Sequence, residues 1–314
     1  MQTPADYAAR FEKLTVPSLD GSADLAIGIA ADKYLLGVRP GGFDERVRLE
    51  QKIQKDLAIR RKADKAAKIT IRVSTADGIK ERSFDGLNHK DASDQLWKLI
   101  SYPYVGKGSP EGLQALLQLA AVELPGSPAL VKPANFQAYC SKWLGLDCNG
   151  LVGNFLRHIY AGIDWWDFTT TDSGLDPNKD IKVIWDAFGG TERKTAADIN
   201  FKELNLLVMV DDKTGKIVPG GPSGSAGHIM ISQPHEIECD TGLTTLGAKK
   251  DAEVPGLIVL ESTGAIDSAD KKDGVAKSAY AYVNHPKFKD VILVRRGLNN
   301  SKLSVRIKGA AWTG

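Results

Sequence analysis

The sequence predicts an α+β fold with a mostly antiparallel sheet, on three observations. Helical patterns crowd the first half of the chain, strand patterns crowd the second, and the strands follow one another through hairpin-like connections. A helix that starts at Cys148, packed on that sheet, is the expected centre of the molecule. Residues 1–86 read as an N-terminal accessory region of helices and a β-hairpin, and residues 87–314 as the main domain.

Taken in order, "ADYAARFEKL" reads as a short helix and is followed by a Gly-rich region containing "RPGG". A charged helix comes next, "DERVRLEQKIQKDLAIRRKADKAAK", where Leu49, Ile53 and Leu57 recur every four residues as one narrow apolar stripe. Glu45, Glu50, Asp56 and Asp64 interrupt its basic face, so a solvated helix packed by its stripe is expected rather than a nucleic-acid or membrane-surface element. "KITIRVSTADGIKERSF" alternates Ile69, Ile71 and Val73 before "ADG", a hairpin signal.

From Leu87 the pattern becomes that of a compact domain. Asp91 can cap a helix through "SDQLWKLI", and "GLQALLQLAAVEL" is a second helix stopped by Pro125 and Gly126. Beyond the Cys148 region lie aromatic loops ("DWWDF"), "IKVIWDAF", and the strands "LNLLVMVDD", "AGHIMIS", "GLIVLES", "DVILVRR" and "LSVRI".

Composition narrows the partners. A net charge of +2 argues against DNA or an anionic membrane as the dominant partner. Three cysteines are too few for a disulfide scaffold, although a Cys140–Cys239 pair would leave Cys148 as the free thiol. The gap of eight between Cys140 and Cys148 is not the close spacing of a compact zinc site, and no metal is expected. No apolar run approaches the ~18–20 residues of a membrane helix. The first residues lack the basic start and apolar core of a secretory signal. The expected compartment is therefore secreted or periplasmic if a leader has been removed, and otherwise cytoplasmic or that of an exported effector.

The chemistry concentrates in "LGLDCNGLVGNFLRH". Leu151, Val152, Phe155, Leu156, Ile159, Tyr160 and Ile163 trace one helical face, and three to four residues back lies Cys148 at the head of that stripe. Asp147 is the natural N-cap, and Gly150 permits close approach in the first turn. The unpaired N–H groups and the dipole of a helix start favour a thiolate, and the same groups can stabilise an oxyanion. A buried structural cysteine is the competing reading.

Among five histidines, His158 lies ten residues along the same helix and cannot turn back to the sulfur, while His89, His235 and His285 sit in polar or loop settings. His228 opens "HIMIS", where alternation puts His228, Met230 and Ser232 on one face, with Ile229 and Ile231 on the other. That geometry suits a Cys–His pair. In "GLIVLES", Leu257, Val259 and Glu261 share a face, so Glu261 can orient the imidazole; Ser262 and Asp267 are the alternatives.

These residues resemble the NlpC-type cell-wall peptidases, a papain-like superfamily of cysteine peptidases and amidases. "LDCNGLVGNFL" is similar to the family's Asp-Cys-Ser-Gly nucleophile motif, with Asn149 in place of Ser; "AGHIMIS" resembles its Gly-His strand, and "IVLEST" the strand that bears the third polar residue. "FKELNLLVMV" fits the strand before the histidine, and the likeness spans roughly residues 87–297 in separate blocks. It implies a papain-like fold, a Cys148–His228–Glu261 triad, cleavage of peptide or amide bonds in peptidoglycan stem peptides, and no metal or organic cofactor.

Tyr104 in "YPYVGKG" resembles the tyrosine upstream of the family's nucleophile, and Tyr139 lies closer in sequence. Asp147, Asn149, Tyr104, Trp143, Trp165 and Trp166 are the candidate substrate-binding residues. Acyl transfer or transglutamination on the same triad, or an inactive papain-like binding module, are the alternatives.

Overall fold

The computed structural model describes residues 2–35, 43–63, 68–85, 90–124, 126–168, 174–220, 227–235, 256–264, 273–299 and 301–312. The first helix, α1 (Pro4–Glu12), starts at a capping box between Thr3 and Asp6, and buries Tyr7 and Phe11. Strands β1 (Leu14–Pro17) and β2 (Asp24–Ile29) pair antiparallel. The charged helix α2 (Phe43–Ala63) precedes the hairpin of β3 (Lys68–Thr75) and β4 (Gly78–Asp85). In that hairpin Ile69, Ile71 and Val73 are all buried, as their alternation predicts.

Helices α3 (Lys90–Tyr104), α4 (Pro110–Ala120) and α5 (Phe136–Trp143) lead to α6 (Cys148–Phe155). A short helix, α7 (Ile181–Ala187), and strand β5 (Thr191–Arg193) follow. The helical pattern from Cys148 to Ile163 is realised in two pieces. After α6 the backbone widens into a π-turn over Leu156–Tyr160, with Ala161 N–H donating to Leu156 O at 2.8 Å. Gly162, at φ +66°, then ends the run while Ile163 N–H returns to Arg157 O at 3.0 Å.

The remaining strands are β6 (Leu204–Met209), β7 (Ile229–Gln233), β8 (Gly256–Thr263), β9 (Gly274–Asn284), β10 (Ile292–Arg296) and β11 (Lys302–Ala310). Each pairs antiparallel with the next, and β11 returns to pair with β6, Val305 opposite Met209. The result is a closed six-stranded barrel with β5 attached beside β11. This corrects the papain-like expectation of a helix on an open sheet. The strands and their antiparallel order are present, but the sheet closes on itself. Closure joins strands about a hundred positions apart, and neither periodicity nor hairpin spacing reports a pairing of that range.

Closure also explains why β6, β7 and β8 are apolar on both faces. Leu207, Met230, Leu257, Val259, Tyr280, Tyr282, Ile292, Val294, Val305 and Ile307 fill the barrel interior. The alternate residues Leu206, Val208, Ile229, Ile231 and Leu260 join a second core outside it, with Tyr7, Phe11, Val152 and Phe155. Helix α6 packs on β7 and β8 from that outer side, and α1 lies against the same strands. The N-terminal elements therefore share one core with the cysteine helix.

The start of α6 is fixed by backbone as much as by side chains. Asp147 N–H donates to Gly106 O at 2.9 Å, Leu146 N–H to Lys33 O at 2.8 Å, and the Ser262 hydroxyl to Leu146 O at 2.6 Å. A Cβ on Gly150 would land on the Gly106 carbonyl oxygen and press Leu146. Gly150→Ala is therefore expected to cost about 1–3 kcal/mol by forcing two backbone segments apart. Urea denaturation would show a lowered midpoint; an unchanged one would contradict this packing.

Candidate active site

Helix α6 presents Cys148 at its first position, 6% exposed. The Asp147 carboxylate caps it, accepting from Gly150 N–H at 2.6 Å, and its second oxygen pairs with the Lys107 ammonium at 2.5 Å. Burial raises the Asp147 carboxyl, while the Lys107 charge and the N–H groups of the first turn work in the opposite direction. Asn149 faces the sulfur. Its Oδ1 accepts from the Cys148 thiol at 3.5 Å, and its Nδ2 donates to Lys179 O at 2.9 Å.

His228 lies at the mouth of β7, one residue before the strand, in the phase that points Met230 into the barrel. Its Nε2 is 2.6 Å from Glu261 Oε2. Nδ1 is the ring nitrogen that Glu261 does not engage. Burial works against an imidazolium here, yet interaction with Cys148 and the hydrogen bond to Glu261 outweigh it, and the ring is raised to about 9.

Glu261 is 0% exposed. It follows Leu257 and Val259 on the interior face of β8, and its carboxylate is met from three strands. His228 donates from β7, the Tyr280 hydroxyl from β9 to Oε1, and the Arg296 guanidinium from β10 to both oxygens, with Nε to Oε1 at 3.2 Å. Burial alone would raise the Glu261 carboxyl; the hydrogen bond and charge of His228, together with Arg296, hold it below the usual carboxylate range.

Three residues scattered over 114 positions, Cys148, His228 and Glu261, thus come together where the head of α6 meets one end of the barrel. The other candidates have other partners. Tyr104 and Tyr139 bond each other through their hydroxyls at 2.5 Å, both buried. Trp165 is buried in the outer core, Trp166 lies under the Arg82 guanidinium at 3.7 Å, and Trp143 carries the Lys142 ammonium at 4.5 Å. Ser262 points away from the histidine, to Leu146.

His158 Nδ1 contacts Ile163 O at 2.8 Å, His235 stacks on Phe201, and the His285 ring accepts from the N–H groups of Lys287 and Phe288. Cys140 is a buried free thiol. Cys239, His89 and Asp267 lie outside the described residues, as does the Asp91 side chain. Among the described residues no three His, Cys, Asp or Glu side chains gather as a metal site, and no helix is long and apolar enough to cross a membrane.

Arg296, Tyr280 and Lys107 are the site residues that sequence reasoning missed. A signal for Arg296 exists in "DVILVRR": Ile292, Val294 and Arg296 share the interior phase of β10, which places a guanidinium inside the barrel. Comparison of the chain with family models, curated proteins and solved structures gives no match.

Burial pushes the Cys140 thiol up to about 12. Iodoacetamide at pH 8 is accordingly expected to label Cys148 well before Cys140, read by peptide mass spectrometry. Equal rates at the two thiols would contradict an activated Cys148.

Proposed function

We propose that the chain is a cysteine hydrolase that cleaves peptide or amide bonds through Cys148, His228 and Glu261. The observation that carries this reading is the His228 ring, bonded through Nε2 to a buried carboxylate while interacting with the sulfur at the head of α6. With Nε2–H donating to Glu261, Nδ1 holds the proton drawn from the thiol, and the reacting pair is an imidazolium beside a thiolate. The thiolate attacks the carbonyl carbon, and the developing oxyanion is met by the Cys148 N–H at the first position of α6.

The imidazolium then gives its proton to the leaving amine, which departs as a thioester forms. Water, deprotonated by His228, resolves the thioester to a carboxylic acid and returns the thiol. Glu261 holds the ring in one orientation and supports its positive charge through both steps. Peptidoglycan stem peptides are the proposed substrates, on the strength of the Asp-Cys-x-Gly, Gly-His and third-strand blocks resembling the NlpC-type enzymes.

The experiment is mass spectrometry of purified peptidoglycan fragments incubated with the protein. Released stem peptides with the wild-type chain, and none with Cys148→Ala, are expected. Turnover by that variant at the wild-type rate would end the mechanism. An unchanged digest together with a trapped acyl-protein adduct would point to acyl transfer.

The pH profile follows from His228. Its folded value lies above the ordinary 6.5, so the imidazolium that protonates the leaving amine is present at neutral pH and is lost as pH rises through about 9. A fall in kcat/KM on the alkaline side near pH 9 is expected. A fall already complete by pH 7.5 would contradict the assignment.

A further inference from the structure

The polar row does not stop at the carboxylate. Beside Glu261, Arg296 Nε reaches Oε1 at 3.2 Å and Nη2 reaches Oε2, so the guanidinium grips both oxygens and shares Oε2 with His228. Arg296 is itself 6% exposed. Among the described residues its remaining contacts are neutral: the Tyr280 hydroxyl at 3.1 Å, Thr263 Oγ1 at 3.4 Å and Ser301 Oγ at 3.4 Å.

We propose that Arg296 is the positioning residue and counter-charge of the site, completing an alternating row of guanidinium, carboxylate, imidazolium and thiolate. The inference rests on the reading of Cys148 and His228 as a reactive pair. When Cys148 loses its proton beside a charged His228, the row passes from one net positive charge to neutrality. Without the Arg296 charge the same step runs from neutrality to one net negative charge in a buried place, which opposes thiolate formation. A carboxylate with only the histidine as partner would support the ring but leave that excess uncompensated.

Among the described residues, the charged and titratable groups facing the row are few. Helix α6 contributes Cys148, preceded by Asp147, whose charge Lys107 balances at 2.5 Å. Strands β7, β8, β9 and β10 contribute His228, Glu261, Tyr280 and Arg296. Tyr280, strongly raised by its burial, stays neutral throughout the working range.

The test is the pH dependence of Cys148 alkylation by iodoacetamide, followed on the Cys148 peptide by mass spectrometry, which needs no substrate. Arg296→Met is expected to move the acid limb upward by about one pH unit, the effect of one uncompensated charge at an effective permittivity of about 20. Arg296→Lys, which keeps the charge, is expected to stay close to wild type. Arg296→Met combined with Glu261→Gln restores the charge balance with a neutral pair and is expected to return the limb toward its wild-type position.

A folded Arg296→Met chain with a wild-type profile would overturn the proposal. So would an Arg296→Lys profile displaced by a full unit, or a double variant shifted as far as the single one. Should Arg296→Met fail to fold, the lysine and double variants decide the matter on the same terms. Loss of amide hydrolysis with these profiles intact would count against the hydrolase reading alone, whereas a wild-type Cys148 that never alkylates would overturn both.

Discussion

A carboxylate sealed inside a β-barrel is the constraint on which the site depends. Glu261 has no access to water, so its charge must be met by protein groups or be lost. Three neighbouring strands meet it, with His228 donating to Oε2, Tyr280 to Oε1 and Arg296 to both. A barrel interior suits such an arrangement because each strand delivers every second side chain to a common axis at a fixed height. On an open sheet, the strand carrying Arg296 would have no fixed partner beyond β9, and the guanidinium would be free to turn toward solvent.

The histidine links that interior to the outside. One side of its ring is committed to the buried carboxylate, while the other faces the sulfur that α6 carries on the outer surface of the same strands. Helix α6 is itself held by contacts drawn from distant parts of the chain. Lys33 supplies a carbonyl to Leu146, Gly106 supplies one to Asp147, and Ser262 ties Leu146 to β8. The nucleophile is therefore placed by a rigid seam of backbone, with Asp147 and Lys107 fixing the first turn. The N-terminal segment takes part in that seam and in the core around α6, so the accessory-looking first third of the chain contributes to the geometry of the site.

Much of this arrangement is legible from local pattern. The cap at Asp147, the apolar stripe behind Cys148, the phase of His228 in "HIMIS" and that of Glu261 in "GLIVLES" are all short-range signals, each fixed by a period of 3.6 or 2. What is not legible is whatever depends on long-range pairing. The union of β11 with β6 turns an antiparallel sheet into a barrel, and only after closure does the alternation of Ile292, Val294 and Arg296 acquire an inside. The aromatic candidates fail for a related reason. Tyr104, Trp165 and Trp166 lie near helix ends in sequence, but packing commits them to Tyr139, the outer core and Arg82 respectively. The π-turn after α6 is likewise invisible to an apolar pattern that fits an ordinary helix nearly as well.

The claim that matters most is electrostatic: the ring at position 228 keeps its proton because a sulfur and a buried carboxylate flank it. Nuclear magnetic resonance titration of the ¹⁵N-labelled imidazole measures this directly. A midpoint near pH 9 is predicted, falling markedly when the sulfur is replaced in Cys148→Ala. A midpoint near the ordinary 6.5, unmoved by that replacement, would show that the three groups do not act as one unit.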